Sequence, residues 1–263
     1  MKRDVSIVIP IYIIDSDLFK MTMDVVTKIQ FNTSGVNPEL IIVDDCSPNQ
    51  KLVCLLKERY CKNAKWIHNS INLGFAHSSN IGISNSSKDM ILLLNNDVDL
   101  IDDDWLSSMI DMMEENELDV TAPNEGWLDN RHEYIPYAMR NGDSVAKFKY
   151  LVGWALLMKR YVVEEIGLLP INFGRGYWED VLYSLILKRS GVKIGVSPIM
   201  DSGKIAHFEH KTFKKTNINL IEQYKKNQKI YNEIISGERI VRLPVIDDYK
   251  KRKKFLDIIK KEG

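Results

Sequence analysis

The residues with most capacity for chemistry in this chain stand where apolar runs stop. Met90-Ile91-Leu92-Leu93-Leu94 ends in Asn95-Asn96-Asp97-Val98-Asp99, and the run around Leu40-Ile41-Ile42-Val43 ends in Asp44-Asp45-Cys46-Ser47. A strand buried on both faces reads as a run of this kind, and it gains nothing from carboxylates at its end. These groups are therefore candidates for binding or proton transfer. A third acidic pair, Glu179-Asp180, opens a helical pattern from about Trp178 to Ser190 that stops at Gly191, the C′ position that glycine favours. At a helix N-terminus the macrodipole and free N–H groups favour an anionic carboxylate, so by itself the pair also reads as an ordinary acidic first turn.

The elements that must position these groups alternate regularly. Val5 to Tyr12 reads as a strand, and Asp15-Ser16-Asp17 offers an N-cap to a helix with Leu18, Met21, Val25 and Ile29 at helical spacing. "ELIIVDD", "AKWIHN" and "DMILLLNND" read as further strands, with "KLVCLLKERY" and "NLGFAHSSNIGIS" as helices between them. This βαβαβαβ order calls for an α/β fold with a mostly parallel central sheet flanked by helices. Ligands bind such sheets beyond the carboxyl ends of the strands, so Pro10 and Tyr12, Asp44 and Asp45, and Asn95 to Asp99 are expected on one rim. The first strand carries no glycine fingerprint. That excludes a dinucleotide fold of the usual kind and a P-loop, and phosphates bound here need a metal. Further on, "YLVGWALLMKR" (150–160) reads as one strand, "RYVVEEIGLL" as a short helix, and "VKIGVSP" and "KIAHFEH" as short strands.

With 263 residues, 44% hydrophobic and 27% charged, the chain has the composition of an ordinary globular protein. No apolar run reaches the roughly 18 to 20 residues that span a bilayer, and no leader with a small-residue cleavage site is apparent, which predicts a cytoplasmic location. Cys46, Cys54 and Cys61 lack metal-type spacing and read as reduced thiols. The net charge of zero hides an asymmetry. From Lys204 to Gly263 there are 16 basic against 8 acidic residues, and before Lys204 there are 20 against 28. The chain is read as a domain over residues 1–216 and a basic helical extension over 217–263. The extension is either a solvated helix or a surface for an anionic membrane or polyanionic acceptor, the latter placing the protein at the inner face of the membrane.

In order and spacing, "VSIVIPIY", "IIVDDCSPN", "NLGFAHSSNIGISNSSKDMILLLNNDV", "YLVGWALLMKR", "GYWEDVLYSLILKRSG" and "IAHFEH" resemble glycosyltransferase family 2, within it the rhamnosyltransferase-like branch, whose members share the GT-A nucleotide-sugar fold. The resemblance covers roughly residues 4 to 210. It implies an inverting, metal-dependent transfer of one sugar from a nucleotide diphosphate-sugar, UDP or dTDP as carrier, to a hydroxyl of a glycan or lipid-linked glycan. The family's Asp-X-Asp metal motif falls on Asn95-Asn96-Asp97, so Asp97 is the implied ligand for Mn²⁺ or Mg²⁺, hard cations that take oxygen. Asp99 is either a second ligand or a helix cap, and His207 completes metal or diphosphate binding. Asp45 is implied to accept the imide N–H of uracil or thymine, although Asp45-Cys46-Ser47-Pro48 also has the composition of a turn. Pro10 and Tyr12 flank the base, and Asp44 lies near the ribose or serves structure. Gly74, Asn80 and Asn96 join the nucleotide contacts.

By the same resemblance Asp180 is the base and Glu179 touches a sugar, while Gly153, Trp154, Tyr177 and Trp178 approach the acceptor. His77 and His210 depart from the family pattern. Asn95 in place of an acid keeps a non-catalytic nucleotide-sugar-binding module as the alternative. A protein acceptor, or a modified base in nucleic acid, stays open because the tail is basic.

Overall fold

A computed structural model describes residues 2–31, 33–129, 131–135, 148–208, 215–216 and 219–250. Its first half alternates β1 (Arg3–Ile11), α1 (Ser16–Phe31), β2 (Val36–Asp44), α2 (Gln50–Arg59), β3 (Lys65–His68), α3 (Phe75–Ser84) and β4 (Met90–Leu94). Asp15 caps α1, its Oδ1 accepting the N–H of Asp17 at 3.0 Å and of Leu18 at 3.1 Å. β1 pairs in parallel with β2 and with β4, and β2 with β3. Alternate side chains of β1 enter opposite cores: Val5, Ile7, Ile9 and Ile11 pack with α1 and α4 (Trp105–Glu115), while Val8 packs with α3. The approach of α3 to β1 is so close that a Cβ on Gly82 would lie 2.2 Å from Val8 Cγ1.

The second half adds β5 (Val98–Leu100), β6 (Val120–Ala122), β7 (Glu125–Leu128), β8 (Phe148–Leu151), β9 (Ala155–Lys159), α5 (Arg160–Glu165), α6 (Glu179–Arg189), β10 (Ile194–Val196) and β11 (Ile205–His207). The main sheet has seven strands in the order β10-β6-β9-β4-β1-β2-β3, with β9 antiparallel to both neighbours. β5 pairs with β11 and β7 with β8 as two-stranded ribbons. The single strand expected over 150–160 is thus two strands in different sheets, because the chain turns at Gly153-Trp154.

The C-terminal segment is packed into the domain over its described part. After α7 (Leu220–Ile235) the chain returns along residues 168–171, where Leu168 and Ile171 donate to the carbonyls of Pro244 and Arg242. α8 (Ile246–Lys250) then inserts Tyr249, 4% exposed, against α3. The Tyr249 hydroxyl lies 3.0 Å from His77 Nδ1 and 3.4 Å from Asn80 Nδ2. Burial holds His77 neutral, pushed down to about 4. We expect Tyr249→Ala to cost about 3–5 kcal/mol, the range for emptying a buried aromatic site, and Tyr249→Phe about 1 kcal/mol for the hydrogen bonds. Urea unfolding curves check this, and two neutral substitutions would mean that the segment is dispensable to the fold. The basic run beyond Lys250, and His210, lie outside the described residues. Among the described residues, no helix is long and apolar enough to cross a membrane.

Candidate active site

Parallel pairing brings the carboxyl ends of β1, β2 and β4 to one edge, with Pro10 opposite Val43 and Ile11 opposite Asp44. Because β9 runs the other way, its start reaches the same edge: Leu94 lies opposite Ala155, and Asn95 N donates to Trp154 O at 2.7 Å. A cavity of about 1250 Å³ opens there, roomy for a single small ligand. Pro10, Tyr12, Asp45, Gly74, Asn96, Asp97, His207, Gly153, Trp154, Tyr177, Trp178, Glu179 and Asp180 all line it. Asp44, Asn80 and Asp99 do not.

On the β2 side, Asp45 is 5% exposed. Its Oδ1 accepts from Asn69 Nδ2 and Leu73 N at 2.9 and 2.8 Å, and its Oδ2 from Gly74 N at 2.8 Å. Burial raises its pKa against the pull of those donors. Asp44 turns beneath the strand end instead, taking Ser47 N, Gln50 Nε2 and His68 Nδ1 at 2.9, 3.1 and 2.7 Å. It shapes the β2–α2 turn and does not line the cavity. Gly74 has φ +84°, and a Cβ on it would meet Gly174 O at 2.5 Å. Its close approach is to the loop before α6. Asn80, placed among the nucleotide contacts by resemblance, is fully buried with both ends closed on Leu169: Nδ2 donates to its carbonyl at 2.8 Å and Oδ1 accepts its N–H at 3.0 Å. It ties α3 to the segment after α5.

Beyond β4, Asp97 Oδ1 and His207 Nε2 are 3.1 Å apart. They meet because β5 and β11 pair with His207 opposite Val98, next to Asp97. The imidazole stacks on Trp154 at 4.8 Å with 2° between planes, and Trp154 Nε1 donates to Asn124 Oδ1 at 2.9 Å. Asn96 Nδ2 donates to Thr22 Oγ1 at 2.8 Å, while Asn95 Oδ1 is buried with no hydrogen-bond partner among the described residues. Asp99 belongs to β5, whose Val98 and Leu100 turn inward, and it forms an ion pair with Lys28 of α1. Asp99 thus does not join Asp97 in lining the cavity, and the N-cap position of α4 is held by Asp104.

On the far wall, Tyr177 and Trp178 both adopt left-handed backbone, φ 73° and 78°, and Trp178 caps α6. Glu179 is 6% exposed and its Oε2 has no hydrogen-bond partner among the described residues. Asp180 accepts from Gly153 N at 3.1 Å through Oδ2 and from Val181 N at 2.9 Å through Oδ1. Burial, and then the charge of Asp180, push Glu179 well above the usual carboxylate range, and burial raises Asp180. Two adjacent carboxyls, Glu179 buried and Asp180 half-buried, resist carrying two charges. Asp180, with two N–H donors fixed on it, ionises first.

Sequence reasoning passed over several lining residues: Asn124, Glu125, Arg175, Asp201 and Tyr224. Their spacing carries no signal, because they come from loops, from the start of β7 and from α7, brought in by packing. They settle the charge of the cavity. Among the described residues that line it, six acidic side chains, Asp45, Asp97, Glu125, Glu179, Asp180 and Asp201, stand with Arg175 and His207, and Glu125 is paired with Lys149 at 3.2 Å; this acidic excess disfavours an anionic ligand that brings no cation with it.

A mostly parallel sheet with this acidic rim is the architecture of the GT-A glycosyltransferases. The chain is similar in fold to a mannosyltransferase, PcManGT of Pyrobaculum calidifontis in complex with GDP-Man and Mn²⁺, at 16% identity and TM-score 0.56, over 75% of this chain and 55% of that one. It is also similar to S. aureus TarS 1–349, at 18% identity and TM-score 0.53 over 74% and 58%. GalNAc-T7 with UDP, GalNAc and Mn²⁺ gives 15% identity and TM-score 0.58 over 75% and 43%. The chain therefore spans about half the length of these solved chains. No curated protein sequence matches it. Residues 6–166 match glycosyl transferase family 2, and the chain belongs to that family.

Proposed function

We propose that the protein transfers a sugar from a nucleoside diphosphate-sugar, UDP or dTDP as carrier, to a hydroxyl of a glycan or lipid-linked glycan, with inversion. The observation that carries this reading is one cavity holding two separate acidic stations, Asp97 with His207 and the adjacent pair Glu179 and Asp180. One station suits a departing diphosphate, and the other suits an incoming hydroxyl.

The residues fit a divalent cation of a particular kind. Among the described residues no three His, Cys, Asp or Glu side chains converge; the donor set is the Asp97 carboxylate, the His207 imidazole and the partnerless Asn95 Oδ1. So small a set suits an ion completed by substrate phosphates and water, and the imidazole favours Mn²⁺ over Mg²⁺. Bound there, the ion supplies positive charge to the leaving diphosphate. Asp45 accepts the imide N–H of the base with Tyr12 and Pro10 beside it, Asp180 takes the acceptor proton, and Glu179 in its protonated form donates to a sugar oxygen. Tyr177, Trp178, Gly153 and Trp154 line the acceptor side.

Thermal unfolding with UDP-, dTDP- and GDP-sugars, each with and without Mn²⁺, tests the proposal. The right carrier should stabilise by about 2.7 kcal/mol at 100 times its dissociation constant. By linkage, carrier and Mn²⁺ should tighten each other by one factor. Equal stabilisation by the carrier with and without Mn²⁺ would remove the metal from the proposal.

A further inference from the structure

The turn that delivers the acidic pair is held by a residue some fifty positions away. Asn227 of α7 has no exposed surface, and its Nδ2 reaches three carbonyl oxygens: Phe173 at 2.9 Å, Gly176 at 2.7 Å and Tyr177 at 3.0 Å. Three acceptors around one nitrogen fix the orientation of the amide, since the opposite assignment would set an oxygen against three oxygens. The turn needs such a restraint. Gly174, Tyr177 and Trp178 all have left-handed φ, 66°, 73° and 78°, and for the two aromatic residues that backbone costs free energy. Tyr224 and Tyr231, also on α7, pack on Trp178 with ring centroids 5.3 and 4.9 Å away.

This restrained turn touches both halves of the cavity. On one side Phe75 N donates to Arg175 O at 3.3 Å, beside Gly74 and the Asp45 carboxylate it contacts. On the other, Trp178 is the residue from which α6 starts, followed at once by Glu179 and Asp180. We propose that Asn227 is a positioning residue which locks the 173–178 turn and thereby sets the Asp180 carboxylate in place. The inference rests on the glycosyltransferase reading for its catalytic consequence, but its geometric content is independent of substrate. Asn227 touches no reacting atom. It acts through the turn.

Two amides report the position of Asp180 directly, because Gly153 N and Val181 N both donate to its carboxylate. In Asn227→Ala, hydrogen exchange of the full chain should accelerate by about tenfold at these amides while β1 amides stay unchanged, the pattern of a local opening. With a working donor, kcat should fall about 10²-fold, the cost of a misplaced catalytic group, with donor KM within about threefold. Asn227→Asp supplies a second reading. Its carboxylate faces three carbonyl oxygens and donates only when protonated, so its activity relative to the parent should fall as pH rises, which the parent's own base does not do. Unchanged exchange at Gly153 and Val181, or equal acceleration in β1, would overturn the proposal, as would an unchanged kcat. Should the parent chain transfer no sugar from any carrier, the glycosyltransferase reading fails, and the exchange data still decide whether Asn227 sets Asp180.

Discussion

Asp180→Asn should lower the rate of sugar transfer by about 10² to 10⁴, the contribution of a positioned general base, while the donor binds almost as before. The amide occupies the same volume but has no carboxylate lone pair basic enough to take the acceptor proton. It also exchanges one acceptor oxygen for a donor, so either Gly153 N or Val181 N, both of which donate to the carboxylate, is left facing an N–H. Stability should fall by about 1–3 kcal/mol for that unpaired group, and a thermal midpoint measured alongside the kinetics separates the two effects. The parent should show a matching pH dependence. Burial raises the pKa of Asp180, and only its ionised form accepts a proton. Transfer should therefore decline on acidification at a higher pH than an ordinary carboxylate would give. Parent-like transfer by Asp180→Asn would move the role of base to Glu179 or elsewhere.

Asp97→Ala should abolish the metal-dependent part of nucleotide binding. Loss of a partner behind a ligand typically weakens metal sites 10- to 100-fold, and removal of the Asp97 carboxylate itself should exceed about 10²-fold on the same scale. The fold should survive. Asp97 stands in a bend before β5, and the bond that ties the β5–β11 ribbon there is from Phe208 N to the Asp97 backbone carbonyl. His207 stays stacked on Trp154 and loses its carboxylate neighbour. Calorimetry with UDP in the presence and absence of Mn²⁺ checks the result; if the mutant keeps the parent's Mn²⁺ response, Asp97 is not the anchor.

Local pattern carried a large part of this protein. The apolar runs around Ile7, Ile42 and Leu92 and the helical spacing between them determined a parallel sheet, and with it the edge where Pro10, Asp45 and Asp97 meet, because parallel strands bring like ends together. Asp97 at a strand end and Glu179 with Asp180 at a helix start stood out by type and position, whereas His207 entered through the family resemblance, and its place beside Asp97 is made by the pairing of β5 with β11. Period and punctuation cannot say which neighbouring polar residue turns inward. Asp44 and Asp45 are adjacent on a strand end, where successive side chains point to opposite faces, and only the β2–α2 turn decides that Asp45 faces the cavity. Asp99 was lost to Lys28 and Asn80 to Leu169, both partners far away in sequence. The packing of α7 and α8, with Asn227 on the turn and Tyr249 on α3, was decided wholly by tertiary structure: a basic amphipathic helix reads the same whether its buried stripe meets a membrane, a partner or its own domain, and the polar contacts that tell them apart are made by residues with no local signature.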